Sequence, residues 1–289
     1  MSKLHDSTWG AAAAILGSVT FLGVGTSWAK HALFPLIGAQ GTTALRVGFS
    51  AVLLLVLWHP WRRPLTRRDA MQIAVYGAAL GAMNLCFYLA LRTIPFGVAV
   101  AIEFAGPLAV ALWSSRRPLD FIWVTLAVLG LGLLLPVRNG VGALDPVGVL
   151  FALTAAVFWA TYIVFGKRVG HLPTRHTVPL GLTVAALVVA PIGIGHAGGA
   201  LLAPGVLAVG AGVAVLSSAI PISLEMMALK RLPPQAFGVM ISVEPAVSAL
   251  LALVLLDESL SLIQWSAIGM IVMASMGSAV SAQRGAAHP

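Results

Sequence analysis

The chain has 289 residues, of which 59% are hydrophobic and only 9% charged. Soluble globular domains carry nearer a quarter charged residues, so a chain this apolar could not cover a water-facing surface, and a lipid bilayer is its solvent. The formal charge of +8 would invite nucleic acid as a partner in a soluble protein. Here the basic residues flank apolar segments instead of lining one face of an element, which is the pattern of cytoplasmic membrane loops and excludes a nucleic-acid partner.

A membrane-spanning helix needs roughly 20 mostly apolar residues. Such segments fall at 10–32, 41–58, 70–90, 96–114, 120–136, 146–166, 176–195, 205–229, 236–256 and 262–281. The first could pass for a secretory signal, because Lys3 and His5 precede it and Ser27-Trp28-Ala29 resembles a cleavage site. Trp is awkward at such a site, the run is long enough to span, and it has an internal counterpart. It is therefore expected to be a helix of the mature protein. The single cysteine, Cys86, lies in the third span and reads as a small packing residue. The connectors are short and rich in Arg, Pro, Gly and Asp, and 283–289 is expected to be a short cytoplasmic tail.

With the N-terminus in the cytoplasm, thirteen basic residues fall on the inner side: Lys3, Arg62, Arg63, Arg67, Arg68, Arg116, Arg117, Lys167, Arg168, Arg175, Lys230, Arg231 and Arg284. Lys30, Arg92 and Arg138 fall on the outer side, and Arg46 lies within the second span. Lys and Arg concentrate in cytoplasmic loops, so both termini are expected inside and the number of spans even. Trp9, Trp58, Trp61, Trp113 and Trp123 sit at or near inner span ends and read as interfacial anchors.

The two halves of the chain resemble each other. Phe96-Gly97-Val98 stands five residues before Glu103, and Phe237-Gly238-Val239 stands five residues before Glu244, an offset of 141. The same offset pairs Leu119 with Leu260 and Ile122 with Ile263. Ala90-Leu91-Arg92-Thr93-Ile94-Pro95 resembles Ala228-Leu229-Lys230-Arg231-Leu232-Pro233, and Trp28-Ala29 precedes Phe34 as Trp159-Ala160 precedes Phe165. The matches include Trp, Glu and Pro, which chance likeness between apolar helices does not supply. Residues 9–136 and 146–282 are thus expected to be two copies of a five-helix unit. Five is odd, so the copies lie in opposite orientations, and Arg117 on the inside has Glu258 on the outside as its offset partner. The expected fold is an all-α membrane protein of ten transmembrane helices in two inverted five-helix repeats, with both termini cytoplasmic. Inverted repeats characterise secondary transporters, whose small-molecule site lies near the midplane between the halves.

Three carboxylates lie inside spans: Glu103, Glu225 and Glu244. A carboxylate in hydrocarbon costs a few kcal/mol or more and marks a functional candidate. Glu103 lies about 10 Å in from the outer end of its span and Glu244 about 12 Å in from the inner end, so they approach the middle from opposite sides. Either could bind a substrate ammonium, or take up a proton coupled to transport. The structural alternative is a hydrogen bond at the helix breaks expected from Pro107 and Pro245. Glu225, five residues before Lys230, reads as reaching the cytoplasmic interface. Arg46 could pair with a substrate carboxylate, but snorkelling to the outer interface is the favoured reading. Trp28, Trp159, Tyr162, Phe87 and Tyr88 could line an amphipathic cavity, with packing as the plain alternative. Asn84, Ser217 and Ser218 read as interhelical hydrogen-bonding residues, and Gly77 and Gly81 as a close-packing pair.

Enzyme signatures are missing: there is no Gly-x-Ser-x-Gly elbow, no His-Glu-x-x-His and no Walker loop. The seven histidines lie mostly at span ends and in loops with no metal-ligand spacing. No cofactor or metal is expected. An intramembrane enzyme acting on lipid-linked substrates would need Asp or His clustered at one membrane face, and none is found.

The two-fold unit, with Glu244-Pro245 in span nine and Asp257-Glu258 after it, resembles the EamA-type repeat of the drug/metabolite transporter superfamily over nearly the whole chain. Within it, the runs Gly97-Val98-Ala99-Val100-Ala101-Ile102-Glu103-Phe104, Gly106-Pro107-Leu108-Ala109-Val110-Ala111-Leu112, Ser114-Ser115-Arg116-Arg117-Pro118 and Ser223-Leu224-Glu225-Met226 are similar to the bacterial threonine/homoserine exporters. Phe158-Trp159-Ala160-Thr161-Tyr162 is similar with changes. The resemblance implies ten helices around a central cavity in the bacterial inner membrane, exporting small amino acids from the cytoplasm. Related exporters handle other metabolites, nucleobases or drugs, which stay open as substrates.

Overall fold

The computed structural model describes residues 2–62, 65–113, 120–134, 144–232, 237 and 241–286, and among them every regular element is helical. Arg63, Ser114–Pro118, Leu119, Arg138, Pro233, Gly238 and Val239, which carry parts of the charge pattern, the repeat and the resemblance, lie outside the described residues. The helices are α1 (Ser2–Ala32), α2 (Phe34–Trp58), α3 (Arg67–Ala90), α4 (Phe96–Glu103), α5 (Ala105–Trp113), α6 (Asp120–Leu134), α7 (Pro146–Arg168) and α8 (Thr174–Ala197). They continue with α9 (Pro204–Ala214), α10 (Ile220–Arg231), α11 (Glu244–Leu255) and α12 (Leu262–Ala286). α12 thus runs four residues into the stretch expected as a tail.

Among the described residues, five helical stretches are long and apolar enough to cross a membrane: Phe34–Trp58, Arg67–Ala90, Pro146–Arg168, Thr174–Leu202 and Pro204–Arg231. Shorter apolar helices occupy Phe96–Val110, Glu244–Leu255 and Leu262–Ala274. Large apolar side chains stand on the surface, Val52 59%, Leu187 70% and Val254 73% exposed. Water would penalise such a surface and hydrocarbon would not. The chain is a multi-pass membrane protein.

Proline and glycine set where these helices break. α2 begins seven residues before the expected span start at 41, and Gly38 (φ 66°, ψ 178°) kinks it in a conformation that glycine adopts freely. A Cβ at Gly38 would also stand 2.7 Å from His196 Nε2. The expected span 96–114 is two helices, α4 and α5, parted at Phe104. Pro107 has no N–H to give the Glu103 carbonyl, so the ladder fails there. α11 begins at Glu244 with Pro245 in its first turn, where a missing N–H costs nothing. Both expected proline breaks therefore fall at a buried glutamate. Asp145 caps α7, accepting from Gly148 N at 2.9 Å. The Thr93 hydroxyl first, and then the Gly148 N–H, hold its carboxyl below the usual carboxylate range.

α2 packs along α8, α3 along α7 and α8, α1 along α10, α4 along α11 and α6 along α12. Small residues permit the close approaches. A Cβ at Gly77 would stand 2.4 Å from Gly181 O, and one at Gly81 2.9 Å from Ala185 Cα, so this pair seats α3 on α8 as expected from its spacing. One end of the bundle is tied by Lys30 pairing with Glu258, whose other oxygen accepts from Phe96 N at 2.7 Å. At the other end, His176 Nδ1 meets Pro60 O at 3.0 Å and Lys230 donates to Leu172 O at 2.8 Å. Glu258→Gln keeps an acceptor for Phe96 but removes the ion pair. It is expected to lower stability by about 0.5–1 kcal/mol, read as a drop in the thermal midpoint of the detergent-purified protein. An unchanged midpoint would show that the pair contributes nothing.

Candidate functional site

The central cavity, about 50 Å³ in volume, lies between side chains of both halves of the chain. Its polar wall is Arg46, Asn84, Glu103, Trp159, Ser217, Glu225, Glu244 and Ser248, and apolar residues such as Leu22, Met83, Phe87, Val100 and Ile222 complete it. Seven helices and a helical turn contribute to it.

Arg46 does not snorkel: it is 1% exposed. Its Nη1 donates to the Tyr88 hydroxyl at 2.9 Å and to the Ser217 carbonyl at 3.0 Å, and its Nη2 donates to Asn84 Oδ1. Its Cζ stands 4.4 Å from the Tyr88 ring centroid, a cation–π contact. The Ser217 carbonyl is free to accept because Pro221, four residues on, has no N–H. There α9 and α10 join through a π turn at Val215–Ala219. Such turns occur often at functional sites. Asn84 is held in place by donating to Leu80 O at 2.7 Å.

Among the described residues, every acceptor that Arg46 uses is neutral. Among the described residues the ion pairs are Lys30–Glu258 and His171–Asp69, neither of them in the cavity. Arg46 Nε is buried and without a partner there. Glu103 and Glu244 are 6% and 5% exposed. Glu103 lies within electrostatic reach of Glu244, Arg46 and Glu225. Glu225 does not reach an interface but stands on the cavity wall beside Trp159 and Tyr162. Among the described residues that line it, the cavity thus holds one cation with donor capacity to spare and three carboxyl groups. No three acidic or imidazole side chains among the described residues converge closely enough to hold a metal ion.

The remaining expected residues lie elsewhere. Tyr88, Tyr162 and Ser218 are buried behind the wall, at 0%, 1% and 0% exposure. Trp28 is on the surface, 38% exposed, with its ring edge against Gly212 of α9, although Trp159, its counterpart in the sequence of the second half, lines the cavity. Sequence reasoning missed Ser248 and Tyr76. Ser248 follows Glu244 by four residues and shares its helix face. Tyr76 heads the row Tyr76, Leu80, Asn84, Tyr88, spaced by four along α3.

A bundle of apolar helices around a cavity lined by Arg46 and three carboxyl groups is the architecture of a membrane transporter. Residues 146–280 match the EamA-like transporter family. The chain is 48% identical over 260 residues to the Threonine/homoserine exporter RhtA of Escherichia coli (strain K12), covering 90% of this chain and 88% of that one. It is 27% identical to the Uncharacterized inner membrane transporter YedA of the same strain, over 83% of this chain and 80% of that one. A solved crystal structure, 23% identical, aligns over 97% of this chain and 98% of its own with a TM-score of 0.62, a likeness of fold. The chain belongs to the EamA-like transporter family, and it is a transporter rather than an enzyme.

Proposed function

We propose that this protein exports small amino acids of the threonine and homoserine kind across the bacterial inner membrane by alternating access. One observation carries the reading: among the described residues a single cavity presents a buried guanidinium, bound to neutral acceptors, together with three carboxyl groups. A zwitterionic amino acid brings a carboxylate and an ammonium a few ångströms apart. Its carboxylate meets the unused Arg46 donor, and its ammonium meets Glu103 and Glu244. The identity to a threonine/homoserine exporter supports the same substrate class.

The reading includes ten spans in two inverted repeats, with both termini in the cytoplasm. Exchange of the halves pairs α1 with α7, α2 with α8, α3 with α9–α10, α4–α5 with α11, and α6 with α12. Under that exchange the packing of α3 on α7 becomes that of α1 on α10, and α3 on α8 becomes α2 on α9, and both members of each pair are present. This exchange supports the two-fold relation that alternating access uses. The carboxyl groups are also suited to carry a proton in exchange for substrate.

The test is efflux of labelled threonine and homoserine from preloaded cells expressing the protein, against vector cells. Faster efflux is expected with the intact protein. Glu103→Gln is expected to lower it about tenfold at equal protein in the membrane, because one of the carboxylates facing the ammonium is lost while Glu244 and Glu225 remain. Efflux equal to that of vector cells, with the protein inserted, would overturn the amino-acid reading. Normal efflux by Glu103→Gln would remove that residue from the site.

A further inference from the structure

We infer that Arg68 of α3 and Arg168 of α7 form a binding site for the phosphate of an anionic phospholipid, whose acyl chains lie along the exposed apolar side chains next to it. The inference rests on the placement of the chain in a membrane and is independent of what the central cavity carries.

α3 begins at Arg67, α7 ends at Arg168, and the two helices pack along each other. Their ends meet in a pocket of about 400 Å³ lined by Arg68, Asp69, Gln72, Arg168 and His171. The carboxylate in this pocket is already engaged. Asp69 Oδ1 stands 3.1 Å from His171 Nε2, and Oδ2 accepts from the Thr66 hydroxyl at 2.8 Å. Neither arginine is paired with it, or with any other carboxylate among the described residues. Arg168 lays its guanidinium over the Phe165 ring, with Cζ 4.5 Å from the centroid. That contact uses the flat face of the group and leaves its N–H edge for an acceptor. Two guanidinium groups lining one pocket suit a phosphate, whose oxygens accept their paired N–H donors. Gln72 adds an amide donor to the same wall.

Basic residues at helix ends also orient membrane proteins. Orientation needs charge on one side and nothing more. It does not need arginines from two helices to share a pocket, nor the carboxylate between them to be covered.

The surface beside the pocket points to a lipid as the source of the phosphate. One turn into the helices from the arginines, Met71 is 70% and Val164 39% exposed, and two turns further along α7 Val157 is 66% exposed. These side chains face hydrocarbon, so the pocket lies where the headgroups begin. Trp61, 63% exposed in the helical turn before α3, stands at the same end, as aromatic residues do at a membrane interface. A free phosphate would use the arginines alone, whereas a phospholipid uses them together with the apolar surface. The charge pattern expects this end in the cytoplasm, where anionic headgroups concentrate.

The experiment is the thermal midpoint of the purified protein in neutral detergent, titrated with phosphatidylglycerol, phosphatidylcholine or inorganic phosphate at matched concentrations. Phosphatidylglycerol is expected to raise the midpoint to a plateau, as a ligand of the folded form does, and the other two to move it little. The double variant Arg68→Gln with Arg168→Gln is expected to need about thirtyfold more phosphatidylglycerol for half the effect, and each single variant about fivefold more. Arg67→Gln, whose side chain is outside the pocket lining, is expected to respond as the intact protein does. Equal shifts from the two lipids overturn the site. An equal shift from inorganic phosphate shows a free-anion site and overturns the lipid. A double variant that responds like the intact protein overturns the two arginines, and an Arg67→Gln variant as impaired as the double one shows diffuse charge instead of a pocket. Should the double variant fail to fold, the single variants decide, and an intact response from both overturns the site.

Discussion

Arg46→Lys is expected to leave the protein in the membrane but to lower threonine efflux roughly a hundredfold. The guanidinium already spends three of its five N–H groups on Tyr88, Ser217 and Asn84, which leaves the Nε N–H and one on Nη2. A planar fork with five donors can hold those neutral acceptors and still meet a carboxylate, whereas an ammonium has three donors on a flexible stem. Lysine would keep the charge in the cavity, so the variant isolates donor geometry from net charge. Loss of two charge-assisted hydrogen bonds, at about 1.5 kcal/mol each, gives the factor of a hundred. The check is initial efflux rate normalised to membrane-inserted protein. A rate within threefold of the intact chain would show that Arg46 supports the helices and does not hold the substrate. Arg46→Ala is expected to be harsher, because it strands the Ser217 carbonyl and Asn84 Oδ1 in a buried site.

The placement of Arg46 also shows where sequence reasoning runs out. Periodicity and hydropathy locate the helices, since a chain in hydrocarbon must satisfy its backbone within helices and the apolar runs are long. The rarity of charge in those runs singles out Glu103, Glu225, Glu244 and Arg46. Pro107 and Pro245 mark the breaks beside two of them. What a linear reading lacks is rotation and depth. Arg46 near a span end is equally able to turn outward to the interface or inward to Tyr88, and only the approach of α3 and of the π turn decides. Glu225 is only five residues from Lys230, yet it faces inward because α10 turns that side toward Trp159 and Tyr162. Trp28 and Trp159 stand at matching places in the sequences of the two halves but end in different environments. Tyr76 escaped notice because a lone tyrosine among apolar residues carries no signal until its ring is seen stacked on that of Tyr162.

Pro221→Ala is expected to raise thermal stability while lowering efflux more than tenfold. Proline inside a helix withholds one backbone hydrogen bond and crowds the carbonyl four residues earlier, which costs about 3 kcal/mol in a regular helix. Here that carbonyl belongs to Ser217, and the π turn at Val215–Ala219 carries it to Arg46. Alanine would restore the N–H and let α9 and α10 close into one regular helix, with Ser217 O taken up internally. Arg46 would then lose an acceptor that fixes its guanidinium, and the wall that also carries Ile222 and Glu225 would rotate with the added regularity. The two readouts are the thermal midpoint in detergent and the initial rate of threonine efflux. A higher midpoint with slower efflux fits a turn kept for the site at the expense of the helix. A lower midpoint with unchanged efflux would mean that the turn packs the bundle and that Arg46 is held well enough by Tyr88 and Asn84 alone.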